Sequence, residues 1–297
     1  MSRHRPYLSP MGFDSFRDST VSPDWALWPA LGLSPLVLAM NLRTALLAGT
    51  PAREILQAAA EIGLHPLSIA VARPLDAAVT QRKLRAGKSY LKGENRALAK
   101  RLSIDERWLP VIRGNGLCLR DPRIQELPEG LAVPALQLTR LGGLTSLPRR
   151  LAATWLNVEQ CHGLEKLPSI LGLKILEVFD CRNLRALPSN LHLDHLCISA
   201  CPGLDALPPL QTRVLQLASV PFPALPEGMG LRGFTLRNLA GLEQLPGDLA
   251  PMWKPYWSIR NCPRLPAPSR WMPVPLLKPL PKAMQQAFLR AGLAGST

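Results

Sequence analysis

Apolar positions recur along the chain with a fixed step. Leu-Pro pairs begin at Leu127, Leu147, Leu167, Leu187, Leu207, Leu225 and Leu245, at spacings of 20, 20, 20, 20, 18 and 20 residues. The clearest unit reads LHLDHLCISACPGLDALPPL, residues 191–210. Within it Leu196 and Ile198 stand two apart, the spacing that puts both side chains on one face of a strand. Leu204 and Leu207 return the chain and fill the same core from the other side. The repeated L-x-L step predicts short strands centred near Leu138, Val158, Val178, Ile198, Leu217, Leu236 and Ile259, all in one parallel sheet. Each unit alone leaves an apolar face bare, and stacking covers it.

A period of about 20–29 residues with this leucine pattern is a leucine-rich-repeat signature. The expected fold class is therefore α/β: a leucine-rich-repeat solenoid of about eight units over residues 112–268, with a parallel sheet on its concave side. A small helical domain is expected before it at 25–111, after a flexible start at 1–24. A proline-rich cap with a short helix is expected at 269–297. In the helical part, Thr50 and Pro51 mark a helix start that Gly63 ends, and Ser103 with Glu106 forms a capping box. The position after each strand holds Leu141, Cys161, Cys181, Cys201, Val220, Leu239 and Cys262. A small, weakly polar thiol suits a buried turn, so the cysteines read as a reduced, inward-pointing ladder. Where the unit shortens, Phe222 is placed to fill the volume of a missing leucine.

Charge changes the picture only at the flanks. The formal net charge is +14, and residues 80–102 hold eight basic residues against Glu94 alone. These are Arg82, Lys83, Arg85, Lys88, Lys92, Arg96, Lys100 and Arg101, a candidate contact for nucleic acid or anionic lipid. A solvated charged face is the plainer alternative. The apolar stretch Trp25–Met40 contains two prolines and is too short for a normal membrane span.

No phosphate-cradling glycine loop, zinc pair or nucleophile elbow is present. His195 and Cys197 share one strand, but an i,i+2 spacing does not readily bring a nucleophile to its base. The chain thus reads as no enzyme, with no cofactor and no metal. It reads as a monomer that recognises a protein through residues facing out of the sheet. Strand parity selects Trp155, Asn157, Glu159, Glu177, Phe179, Asp180, His195, Arg237 and Arg260. Exposed aromatics beside charge make interface anchors. The alternative for Phe179 is packing on Trp155 or under a flank.

On the Leu-Pro step and the repeat length, residues 112–268 resemble the short leucine-rich repeats of type III secreted effectors of Gram-negative bacteria. The resemblance implies a protein made in the bacterial cytoplasm and delivered into host cells without a cleaved signal peptide. Some of those effectors carry a ubiquitin ligase domain whose nucleophile lies in a Cys-x-Asp step. No such step occurs here, so ligase activity is not implied.

Overall fold

The computed structural model describes residues 33–73, 93–113, 116–247 and 258–265. Four α-helices come first: α1 (Pro35–Leu47), α2 (Ala52–Glu61), α3 (Pro66–Val71) and α4 (Gly93–Arg101), followed by a 3-10 turn at Glu106–Val111. Nine strands follow: β1 (Ile112–Arg113), β2 (Gly116–Leu119), β3 (Ala132–Thr139), β4 (Ala152–Glu159), β5 (Ile175–Phe179), β6 (Leu191–Ser199), β7 (Leu210–Ala218), β8 (Gly233–Arg237) and β9 (Ser258–Arg260). They lie side by side in chain order in a single sheet. Only β1 and β2 run antiparallel; every later pair is parallel, with the expected strand centres inside β3 to β9.

The leucine-rich-repeat expectation is corrected by what lies between the strands. Among the described residues the returning limbs carry no α-helix, and α-helix is confined to the segment before the repeats. The limbs are extended and pair with one another in parallel. The segment before each main strand pairs across turns, as in Ala132 with Ala152 and Leu193 with Thr212. The Leu-Pro limbs form bridges between Lys166 and Ala186 and between Ala224 and Gln244. Inter-turn hydrogen bonds such as Arg185 N to Glu165 O, 2.8 Å, continue the same stacking. The architecture is a parallel β-solenoid of about seven turns, not a leucine-rich-repeat horseshoe, and the concave sheet expected of such a horseshoe falls with it.

The core is the stacked interior of these turns. Leu136, Leu156, Leu176, Leu196, Leu215 and Phe234 form one inward row, and Leu138, Val158, Val178, Ile198, Leu217 and Leu236 a second. Phe222 is fully buried in the shortened turn, as expected. Cys161, Cys181 and Cys201 are likewise buried with free thiols. Each thiol donates to the carbonyl two residues earlier, at 3.5, 3.5 and 3.4 Å respectively. Burial pushes the Cys181 thiol up to about 12, leaving little of the reactive thiolate.

Each strand from β3 to β9 exits through one residue in the left-handed region: Arg140, Gln160, Asp180, Ala200, Ser219, Asn238 and Asn261, with φ between 48° and 58°. This bend lets each of the first six give its N–H to the next turn, as in Gln160 N to Phe179 O and Asp180 N to Ser199 O, both 2.9 Å. Asn and Asp accept this conformation at low cost, while other L-residues pay roughly 1–2 kcal/mol.

The helices cover the first turns. Arg43, almost fully buried, ties three of them together. Its guanidinium donates to the Ala70 carbonyl at 2.5 Å, to Glu94 Oε1 at 2.8 Å and to Asn95 Oδ1 at 2.9 Å. Docking onto the solenoid buries apolar residues of both parts in one cluster and adds two backbone-mediated hydrogen bonds. His65 N donates to Gly130 O at 2.9 Å, and Ala132 N donates to Ser68 Oγ at 2.9 Å. Gly130 has φ 71°, and a Cβ there would meet Gly63 O at 2.1 Å, so only glycine permits this approach. Two cap expectations are corrected. Pro51, not Thr50, precedes α2 and makes no side-chain cap. Asp105 rather than Ser103 caps the 3-10 turn, because Ser103 adopts φ 51° as the chain leaves α4. The apolar stretch contributes α1 from Pro35, with residues 25–32 outside the described part, and no described helix is long and apolar enough to cross a membrane. The expected segments 1–24 and 269–297 also lie outside the described residues.

Two outcomes follow. Ala200→Asn keeps the left-handed bend with a residue suited to it. It is expected to raise unfolding free energy by about 0.5–1 kcal/mol in urea titration; a decrease would show that the bend carries no strain. His65 Nδ1 accepts from Leu67 N at 3.2 Å, starting α3. Burial, then the charge of Arg107, holds this imidazole below its ordinary 6.5. The folded state therefore prefers the neutral ring. Its contribution to stability is present above about pH 6.5 and is lost as pH falls below it toward the folded pKa. Chemical denaturation across that window is expected to show the decline, and His65→Asn, a cap that does not titrate, is expected to flatten it.

Candidate functional site

Between the two inward rows, alternate residues of the main strands point away from the core. Register aligns Gln137, Asn157, Glu177, Cys197, Gln216, Thr235 and Ser258 in one such row, and Thr139, Glu159, Phe179, Ser199, Ala218, Arg237 and Arg260 in the next. Both rows match the parity expectation. Their exposure does not follow it.

Trp155 is the main correction. It stands one step before the core pair, in register with Ala135 and Ile175, and is only 3% exposed. Its indole Nε1 donates to Glu177 Oε2 on the next turn at 3.1 Å, and Asn157 Nδ2 donates to the same oxygen at 3.1 Å. Glu177 is wholly buried and Asn157 nearly so. These three residues form an internal polar clamp between two turns, so they are not a ready-made interface. Asn157 Oδ1 and Thr139 Oγ1 are buried without a hydrogen-bond partner. Cys197, also expected on the open face, is buried, and His195 is half-buried in register with Ile175.

The other candidates remain at the surface. Phe179, Glu159 and Asp180 are half-buried, while Arg237 and Arg260 are exposed and adjacent in register. Phe179 and Arg237 border a pocket of about 250 Å³ whose walls include Ser199, Gln216, Ala218 and Thr235. The pocket has an aromatic wall, hydroxyl and amide groups and one cation. A polar ladder runs along the strand exits beside it. Arg140 Nε donates to Gln160 Oε1 at 2.8 Å, and Gln160 Nε2 donates to Asp180 Oδ2 at 3.2 Å. The Gln160 hydrogen bond, then Arg182, holds the Asp180 carboxyl below the usual carboxylate range, so it stays ionised.

The basic segment is not assembled into one site among the described residues. Arg82, Lys83, Arg85, Lys88 and Lys92 lie outside them. Arg96, Lys100 and Arg101 lie exposed on α4, and Arg101 gives its guanidinium to the Leu46 carbonyl at 3.2 Å, at the end of α1. No group of His, Cys, Asp and Glu suited to a metal occurs among the described residues.

The chain matches no protein-family model, no curated protein and no solved structure. Together with the helix-free turns, this leaves the type III effector resemblance without support, and the effector role is not carried forward.

The clamp has a measurable consequence. Trp155→Phe keeps an aromatic ring but removes the N–H that meets Glu177. It is expected to cost about 1–3 kcal/mol in chemical denaturation, the range for removing one partner of a buried hydrogen bond. A change within about 0.5 kcal/mol, as for a surface residue, would return Trp155 to the open face.

Proposed function

We propose that the protein is a non-catalytic recognition scaffold that binds a protein partner through the outer surface of its β-solenoid, centred on the Phe179–Arg237 pocket. The observation that carries this reading is the pocket itself. It lies on a stacked frame whose inward residues are nearly all apolar, while the residues at its mouth differ from turn to turn. Such a frame fixes side chains before binding, which lowers the entropy lost on association. Phe179 supplies an apolar contact, and Arg237 and Arg260 supply charge at one rim. Few groups are needed for such an anchor, since a handful of residues usually dominate binding energy.

The test starts with cross-linking capture on the full chain and continues with the captured protein in purified form. Phe179→Ala is expected to leave thermal unfolding within about 0.5 kcal/mol. It is expected to weaken the complex by about 2 kcal/mol, or roughly thirtyfold in Kd. A lowered melting temperature with unchanged affinity would show that Phe179 serves the fold.

A further inference from the structure

A second concavity lies at the other end of the main strands, where each turn enters the sheet. The inward alternation of β6 skips a step there. Leu191 and Leu193 point in, and so do Leu196 and Ile198, so Asp194 and His195 between them both face away from the core. In β7 the same skip leaves Arg213 and Val214 between Thr212 and Leu215. The chain turns a corner of the solenoid at these residues. Asp194 N and His195 N share the Lys174 carbonyl, at 2.7 and 3.2 Å, as at a strand bulge.

The corner aligns charged residues from four successive turns. Asp194 N bonds to Lys174 O, and Arg232 N bonds to Arg213 O at 2.8 Å. Asp194 and Arg213 lie between the register pairs Leu193–Thr212 and His195–Val214. The row is therefore Lys174, Asp194, Arg213, Arg232. It borders a pocket of about 280 Å³, with His192 and Gln211 on its wall and Gly230 at its rim. The walls carry three cations and one carboxylate. Asp194 holds the Arg213 guanidinium at 3.4 Å. This orients the fork and occupies only part of its five donors.

We propose that this notch binds a phosphate group, gripped by Lys174 and Arg213 with Arg232 as a third donor. Neighbouring turns stand about 4.8 Å apart, so Arg213 and Arg232 are one spacing apart and Lys174 is about two spacings from Arg213, close enough for long side chains to share one group held above the row. Arg213 and Arg232 stand on adjacent strands, where like charges repel each other, and a dianion beside them converts that repulsion into attraction, while the Asp194 carboxylate between Lys174 and Arg213 stays turned to the Arg213 guanidinium. Phosphate carries close to two negative charges and three acceptor oxygens, which suits donors converging from several turns. A carboxylate offers one charge and two oxygens. Planar guanidinium groups favour the paired oxygens of phosphate. The site is separate from the Phe179–Arg237 pocket and does not depend on the reading given to it.

The phosphate comes either free or as a phosphoryl group on a protein side chain. The experiment is calorimetric titration of the full chain with inorganic phosphate, with a short phosphoserine peptide and its unphosphorylated counterpart, and with acetate. Saturable one-to-one binding of phosphate or phosphopeptide is expected, and whichever binds tighter identifies the source. Lys174→Gln combined with Arg213→Gln is expected to weaken it at least tenfold. Arg182→Gln with Arg264→Gln, equal in charge lost but distant from the notch, is expected to leave it unchanged. In the unmutated chain, phosphate is expected to slow acylation of Lys174, read by mass spectrometry, which needs no variant to fold. The absence of saturable binding, equal binding of acetate or of the unphosphorylated peptide, an equal loss in the control variant, or unprotected Lys174 would each overturn the proposal.

Discussion

The structure depends on one constraint: each turn must present its backbone N–H and C=O groups in register with the turns on either side. A buried amide left without a partner costs about as much as a lost hydrogen bond. In this chain the ladder runs through the lead-in limbs, the main strands and the left-handed exits, and touches the returning limbs. The repeat length follows. A residue can be added or lost only where the ladder has a gap. The turn with the 18-residue spacing loses one residue before Leu210 and one after Ser219, and Phe222 fills the resulting space in the core. Inside the ladder, leucine, valine and isoleucine stack on their own counterparts. Cysteine takes the exit turn because its thiol finds a carbonyl without needing room.

A stacked array has ends, and the first turns would otherwise expose apolar surface. The helical segment covers them, and its apolar residues join the same buried cluster as the first turns, with a few polar contacts fixing the fit. His65 and Ser68 reach the backbone of residues 130 and 132, while Arg43 holds the helices in one arrangement through carbonyls and a carboxylate. Removing one side of such a buried charged network is costly, because the other groups stay buried without partners. The helices are therefore fixed as a unit, and the first strand meets its neighbour antiparallel beneath them.

The parallel sheet was legible in the sequence because a two-residue alternation repeated every 20 residues admits few other arrangements. The class of solenoid was not. Leucine spacing records which residues point into a core; it does not record whether the returning limb is coiled, helical or extended. Leu164 and Leu167 fit any of these, and only the bridges around Lys166 and Ala186 decide it. The site shows a similar division. Parity placed Phe179, Arg237 and Arg260 on the outer face correctly. It also placed Trp155, Asn157 and Glu177 pointing away from the core, yet these residues are buried. Parity gives direction but not depth, and an indole can reach the next turn when that turn offers a carboxylate. The strand-entry corner was invisible for a further reason. The alternation breaks between Leu193 and Leu196, so a strict period of two assigns Asp194 to the wrong side.

The two concavities differ in the way the solenoid makes them. Beside Phe179 the outward row shrinks to Ser199 and Ala218 before Arg237, so a pocket arises from small side chains between large ones on a flat ladder. At the entry corner the pocket arises from a bend in the backbone, and long charged side chains rise around it. The first geometry suits an apolar group inserted between turns. The second suits a compact charged group reached from several turns at once. A scaffold with one backbone course can therefore carry unlike chemistries at the two ends of the same strands, because the ladder is held by backbone groups while the pockets take their chemistry from outward side chains. Changing Arg213 or Phe179 leaves the inward rows untouched, and this separation frees the surface to vary while the frame stays fixed.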